Sequence, residues 1–245
     1  NDGAQPVGPS PIAITNNEVR TADGKQPYVT PRELRDDEIP AIVAGFGRAA
    51  ANAKAAGFDG VEVHGANGYL LDEFLRDGAN RRSGPYGGPL ENRARLLLEV
   101  LDATCDVWGA DRVGLRISPL NSFNSMVDGD PVGLVSWLGK RLNAYKLAYL
   151  HVMRADFLGQ QKGDVLTPAR QAYEGVLIGN MGYSPIEASS AVESGQLDAV
   201  AFGVPFLANP DLPARIKAGA QLNPADPNTF YTRGAAGYTD YPFMQ

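Results

Sequence analysis

Residues 58–93 read FDGVEVHGANGYLLDEFLRDGANRRSGPYGGPLENR, a short strand, a long polar loop and the start of a helix. Side chains alternate along a strand, so Val61 and Val63 share one face while Glu62 and His64 share the other. His64 is then the last inward residue of the strand, and Asn67 and Tyr69 follow at once. An imidazole, a carboxamide and a phenol are thereby gathered at a strand's carboxyl end, the end at which parallel barrels carry out chemistry. A lone histidine in such a place is more often structural than catalytic. Here it is accompanied, and the loop beyond adds Arg76, Asn80, Arg81, Arg82 and Tyr86, more than a turn requires.

Upstream, residues 1–29 read as loop, with Pro6, Pro9, Pro11 and Pro27 limiting regular structure. Thr30-Pro31-Arg32-Glu33 reads as a capping box, with a second helix start at Asp36. Ile39, Ile42, Val43, Phe46, Ala49, Ala50 and Ala53 then recur at three- and four-residue spacing, the stripe of an amphipathic helix that Gly57 ends. Downstream, a helix is expected over 90–108 and a strand over 112–118, where Val113, Leu115 and Ile117 face one way and Arg116 the other. Asp130-Pro131 starts a helix to about 145, a strand follows at 148–152, and a short helix begins near Thr167. A fourth strand covers 176–179, Ser184-Pro185-Ile186-Glu187 caps the next helix, and a fifth strand covers 198–203. Asn209-Pro210 is expected to cap a helix to about 218, leaving an aromatic tail over 220–245.

Alternating strands and helices imply a parallel sheet, and without an early GxGxxG a barrel is favoured over an open dinucleotide-binding sheet. The expectation is a single α/β domain over residues 1–245, a (β/α)8 TIM barrel of which this chain supplies about five βα units. Three further units, roughly a hundred residues at about 30 per unit, are expected on an amino-terminal segment, whether separate, cleaved or on a partner copy.

Composition narrows the function. With 245 residues, 44% hydrophobic content and a formal charge of −6, the chain has the size of one α/β barrel. Its 28 acidic residues outnumber 22 Lys and Arg, which argues against nucleic acid as a partner. No apolar run is long enough to span a membrane, since Glu99, Asp102 and Asp106 interrupt the longest candidate. Cys105 is the single cysteine, so neither an intrachain disulfide nor a cysteine-based metal site is expected, and a cytoplasmic setting fits. The opening NDGAQPVGPSPIAI lacks the basic and apolar regions of a secretory signal.

Two later loops have the look of a phosphate site. Asn180-Met181-Gly182-Tyr183 and Gly203-Val204-Pro205-Phe206 follow the last two strands, the usual phosphate position of a TIM barrel, and each offers backbone N–H groups. The glycines could equally serve as plain turn residues. Arg116 could pair with Glu62 across the inner face, since buried arginines need partners. His151 reads as a structural strand residue.

The segments HGANGYLLDEFL and NRRSGPYGGPLENRARLLLEV resemble the old yellow enzyme family of flavin-dependent ene-reductases. The likeness extends over essentially the whole chain, though the family's first three strands have no counterpart in it. It implies FMN as cofactor, NADPH or NADH as reductant, and an activated alkene as substrate, such as an enone, enal, maleimide or nitroalkene. By that resemblance hydride comes from flavin N5, His64 and Asn67 hold the substrate's activating oxygen, and Tyr69 gives the proton. A phenol, with an ordinary pKa near 10, is protonated at neutral pH, as an acid must be. Arg116, in VGLRISPL, corresponds to the arginine facing the pyrimidine end of FMN. Asn180, Met181, Gly182, Gly203 and Val204 fall at its phosphate, and Tyr231 stands where the family lines its substrate pocket, although it could be a packing residue. Many relatives carry Arg at the position of Val204, which leaves only backbone contacts there. Related barrel flavoproteins with iron–sulfur clusters need several cysteines, and Cys105 alone counts against them. A catalytically silent fragment or binding module with an incomplete flavin site is the remaining alternative.

Overall fold

Gly57, at φ +85°, ends the first long helix and turns the chain into a strand within a few residues. In the computed structural model, which describes residues 3–244, that step of helix, short turn and parallel strand repeats to the end of the sheet. Ahead of it come β1 (Val7–Gly8), β2 (Glu18–Thr21), β3 (Gly24–Pro27) and β4 (Arg32–Glu33). Residues 1–29 are therefore not all loop. β2 and β3 form an antiparallel hairpin, and β1 runs parallel to β4. The prolines flank these strands and so do not break them. Nor do residues 30–33 start a helix: Arg32 N–H donates to Pro6 O at 2.8 Å and Leu34 N–H to Gly8 O at 2.9 Å, which draws the segment into strand pairing. The helical path starts later, with a 3-10 turn at Asp36–Glu38 leading into α1 (Ile39–Ala55).

The remainder alternates as expected, except that the loop expected after the first long strand contains a short helix, because Leu71, Phe74 and Leu75 bury one face at helical spacing: β5 (Val61–Gly65), α2 (Leu70–Leu75), α3 (Leu90–Arg93), α4 (Arg95–Trp108), β6 (Val113–Ile117), α5 (Pro131–Leu142), β7 (Tyr149–Met153), α6 (Leu166–Ala172), β8 (Leu177–Asn180), α7 (Pro185–Glu193), β9 (Ala199–Ala201), α8 (Val204–Ala208) and α9 (Leu212–Ala218). Asp130 and Ser184 cap α5 and α7 by accepting from Gly133 N at 2.8 Å and Glu187 N at 3.2 Å. Asn209 does not cap the start of the last helix. The additional helix α8 moves the start of α9 to Leu212, behind Asp211, and the buried Asn209 amide donates to Pro205 O at 2.8 Å, closing α8 instead.

β5 to β9 form one parallel sheet in sequence order, β5-β6-β7-β8-β9. One face is the core: Val63, Leu115, Ile117, Leu150 and Val152 are buried against the helices, with Leu97 and Leu101 of α4 above them. Truncating Leu101 to Ala would cost about 2–5 kcal/mol, the usual range for a fully enclosed leucine. α1 rests on α4, joined by Trp108 Nε1 to Ala50 O at 2.9 Å and Lys54 Nζ to Val107 O at 2.6 Å. The opposite face carries Glu62, His64, Arg116, Tyr149 and His151, so the polar side chains share one concave surface. Gly114 is required on it, because a Cβ there would lie 2.3 Å from the Tyr149 ring. Among the described residues, β5 and β9 each have one neighbour in this sheet.

The polar loop after β5 is held by its own arginines. Arg76 is completely buried and donates to Ser118 O at 3.0 Å and Asn121 O at 3.3 Å, with Asp72 and Asp128 at 3.8 and 3.9 Å. Arg82 reaches back to Leu34 O at 2.6 Å and Asp36 at 2.5 Å, pinning the amino-terminal strap. Much of the loop's charge is thus structural, and it locks the segment that carries Asn67 and Tyr69.

Candidate active site

His64 ends the inner face of β5, level with Arg116 of β6 and, one strand further, His151 of β7. Burial, and then the Arg116 cation, hold the His64 pKa below its ordinary value, so the imidazole is neutral at neutral pH. Beyond it the chain makes a tight left-handed turn, with Asn67 at φ +59° and Gly68 at φ +69°. Asparagine tolerates that conformation, and glycine is needed next to it because a Cβ on Gly68 would fall 2.7 Å from Asn124 Cβ.

Three neighbours fix this turn. Asn67 N–H donates to Ser118 Oγ at 2.7 Å, and its carbonyl accepts from Asn124 Nδ2 at 3.2 Å. Its side-chain Oδ1 accepts from Asn121 Nδ2 at 2.9 Å. A planar carboxamide held by its oxygen presents its NH2 at the other corner, so Asn67 offers donors away from this cluster. Gly68 N–H donates to the buried Asp72 at 2.9 Å; burial raises the Asp72 pKa to about 6, with Arg76 opposing the rise. Tyr69 then begins α2, its ring 5.5 Å from that of His64 and tilted by 58°. It is 57% exposed and borders a mainly apolar cavity of about 280 Å³ that Val7, Ile14, Tyr28, Glu73 and Asn124 also line.

Glu73 has its pKa pushed up to about 7, first by burial and then by Asp72. The folded protein therefore holds this proton more tightly than the unfolded chain. The resulting stabilisation is complete below the ordinary value of 4.5 and is lost as pH rises through about 7. Glu73→Gln is expected to remove that loss, gaining on the order of 1–3 kcal/mol over the parent at pH 8. Urea midpoints at pH 5 and pH 8 check it, and an unchanged pH dependence in the variant would contradict it.

The expected pairing of Arg116 with Glu62 is not a direct ion pair. Glu62 Oε2 lies 2.9 Å from His151 Nδ1 instead, and Arg116 feels Glu62 only through space. Arg116 Nε is buried with no hydrogen-bond partner, a donor left over on the concave face. At the far end of the sheet, Asn180 and Ala201 are register partners on β8 and β9, which sets the turns 181–183 and 203–204 side by side. Met181 and Gly182 have φ of +90° and +68°, Asn180 Oδ1 is buried without a partner, and no heavy atom lies within 4 Å of a Cβ built on Gly203. Val204 is the first residue of α8 and half exposed. Tyr231 is 91% exposed, in a tail tied to α9 by Arg215 Nη2 to Pro242 O at 2.9 Å. The sequence reading did not single out Ser118, Asn121, Asn124, Glu73 or Arg154. Position alone could have pointed to four of them, since 118–124 follow β6 directly and Arg154 follows β7.

A model of the NADH:flavin oxidoreductase / NADH oxidase family matches residues 2–223. The chain belongs to this family. Among its relatives, a probable flavin mononucleotide-dependent alkene reductase of Leishmania infantum is 53% identical over 99% of the chain and 67% of its own length. A putative 12-oxophytodienoate reductase 3 of Oryza sativa subsp. japonica is 46% identical over 98% of the chain and 65% of its length. Of solved structures, TcOYE with pHBA superposes with a TM-score of 0.94 at 46% identity, covering 97% of this chain and 66% of that one. Morphinone reductase in complex with tetrahydroNAD gives 0.94 at 44% identity, over 100% and 68%. The chain thus spans about two thirds of the length of the flavin oxidoreductases it matches, and its sheet is the partial TIM barrel expected of an old yellow enzyme. Among the described residues no helix is long and apolar enough to cross a membrane.

Proposed function

We propose that this chain is the larger part of an FMN-dependent ene-reductase that uses NADPH or NADH to reduce activated C=C bonds of enones, enals, maleimides or nitroalkenes. The observation that carries the reading is the convergence, at one strand end, of a neutral imidazole, a carboxamide with its donors turned outward and a phenol, next to a half-buried arginine whose Nε has no partner. The residues fit FMN. Arg116 Nε and Asn180 Oδ1 are buried polar atoms wanting partners, and the turns at Met181-Gly182 and Gly203-Val204 leave open backbone at the carboxyl ends of β8 and β9. Arg116 would face the ring, while Asn180, Met181, Gly182, Gly203 and Val204 would receive the phosphate. When bound, FMN would supply the hydride chemistry, through N5, that links the nicotinamide to the β-carbon of the alkene.

His64 and Asn67 together bind the carbonyl or nitro oxygen and stabilise the charge that builds there. Tyr69, within ring contact of His64, delivers the proton to the α-carbon. Tyr231 would line the pocket from the tail once the substrate is bound. The soluble-class composition and lone Cys105 support a cytoplasmic setting.

Asn121→Ala tests the positioning of Asn67. Without the amide that holds Oδ1, the Asn67 side chain can flip, and kcat for enone reduction is expected to fall about 10-fold, the scale of one such hydrogen bond. Flavin content and the rate of flavin reduction by NADPH should stay unchanged; a loss of FMN in this variant would instead mark Asn121 as a fold residue.

We further propose that residues 1–245 act as one incomplete barrel domain, closed by about three βα units pairing with β5 and β9. An unclosed sheet leaves the outer hydrogen-bonding groups of β5 and β9 unpaired and Glu62 and Arg116 only partly covered, which favours this over a free-standing module. The absorbance spectrum of the intact protein is the test: flavin bands bleached by NADPH and restored by an enone support the reading, whereas a colourless protein that takes up no added FMN contradicts it. The 245-residue chain expressed by itself is expected to retain no flavin.

A further inference from the structure

Arg154 follows β7 directly and divides its guanidinium between the turn after β8 and the helix that follows it. Its Nε donates to Met181 O at 2.8 Å and its Nη2 to Gly182 O at 3.0 Å. The outer edge holds Glu187 of α7, with Nη1 to Oε1 at 2.5 Å and Nη2 to Oε2 at 3.1 Å. The planar group lies over the Tyr183 ring, 3.6 Å from its centroid, and Arg154 N–H donates to Asn180 O at 3.1 Å. The side chain therefore touches residues 181, 182 and 183 and the first turn of the helix behind them, while the backbone N–H of the same residue holds Asn180.

We infer that Arg154 is a positioning residue for the cofactor phosphate, an inference that rests on the flavin reading above. The turn it grips is costly: Met181 sits at φ +90°, a conformation that a non-glycine residue holds only under outside constraint. In a trans peptide the C=O and the next N–H point opposite ways. Drawing the carbonyls of Met181 and Gly182 onto the guanidinium therefore turns the N–H groups of Gly182 and Tyr183 to the other side, as donors for an anion. Val204 gives the neighbouring turn no cationic side chain, so binding there depends on backbone donors, and backbone donors must be held in place to select a phosphate. Arg154 does this without contacting the phosphate itself, because Glu187 and the two carbonyls take up its charge. The four bonds made from three nitrogens of one rigid plane exceed the three donors that lysine carries on a single atom.

The test compares FMN with riboflavin, which has the same ring and no phosphate, by fluorescence titration of the intact protein after its flavin is removed. Arg154→Met and Arg154→Lys are both expected to weaken FMN roughly 10- to 100-fold, the scale of charge-assisted hydrogen bonds. Riboflavin affinity should change less than about 3-fold, so the preference for FMN collapses. Equal weakening of both flavins in the Lys variant, or an unchanged FMN-to-riboflavin ratio in both variants, overturns the inference while leaving the flavoprotein reading intact. A Lys variant that retains the full preference also overturns it, since charge alone would then suffice. If Arg154→Met binds neither flavin, Arg154→Lys decides. If the parent binds neither, the flavoprotein reading fails and takes this inference with it.

Discussion

Tyr69→Phe is expected to slow enone reduction by roughly 100-fold, the lower end of what a positioned general acid contributes. The substitution keeps the ring, its place at the start of α2 and its contact with His64, and removes one proton. Two half-reactions separate the possibilities. Reduction of the bound flavin by NADPH needs no acid and should proceed at nearly the parent rate, whereas reoxidation by 2-cyclohexenone should carry the whole loss. Anaerobic rapid mixing measures both. Equal slowing of the two would make Tyr69 a residue that shapes the pocket, and the proton source would have to be sought elsewhere.

His64→Ala and Asn67→Ala are each expected to cost on the order of 10²- to 10³-fold in the same oxidative step, as loss of one preorganised donor to a developing oxyanion does. Phenol binding should weaken in parallel, with FMN retained. The turn around Asn67 gives the reason for so large an effect: its backbone is tied to Ser118 and Asn124 and its amide oxygen to Asn121, so its donors need no reorganisation during the reaction. In the proposed mechanism His64 would serve as a neutral donor, since burial and Arg116 keep its pKa low. Its contribution should therefore be constant above pH 7 and change only on the acid side. Unchanged reoxidation kinetics in both variants would remove these residues from the mechanism.

The alternation of strands and helices was legible because each βα unit carries its own local signals. Val61/Val63 against Glu62/His64, and Val113/Leu115/Ile117 against Arg116, state which face is core, and Ser184-Pro185 states where α7 begins. What could not be read depends on contacts distant in sequence. Arg32 and Glu33 look like a helix start until Pro6 and Gly8, about 25 residues earlier, claim them as a strand. Asn209 looks like a cap until α8 forms in front of it. In the site, His64, Asn67 and Tyr69 were visible because they lie within six residues of one another. Asn121 holds Asn67 across 54 residues, and Arg154 braces a turn 27 residues away. The partner of Glu62 depends likewise on β7 lying two strands across, which places His151 and not Arg116 against its carboxylate.

The most direct measurement reduces the intact holoprotein anaerobically with one equivalent of NADPH and then mixes it with one equivalent of 2-cyclohexenone. The account predicts that flavin absorbance returns within the mixing experiment and that one equivalent of cyclohexanone is formed. Flavin that stays reduced in the presence of the enone, yields no cyclohexanone and is reoxidised only when oxygen is admitted would contradict it.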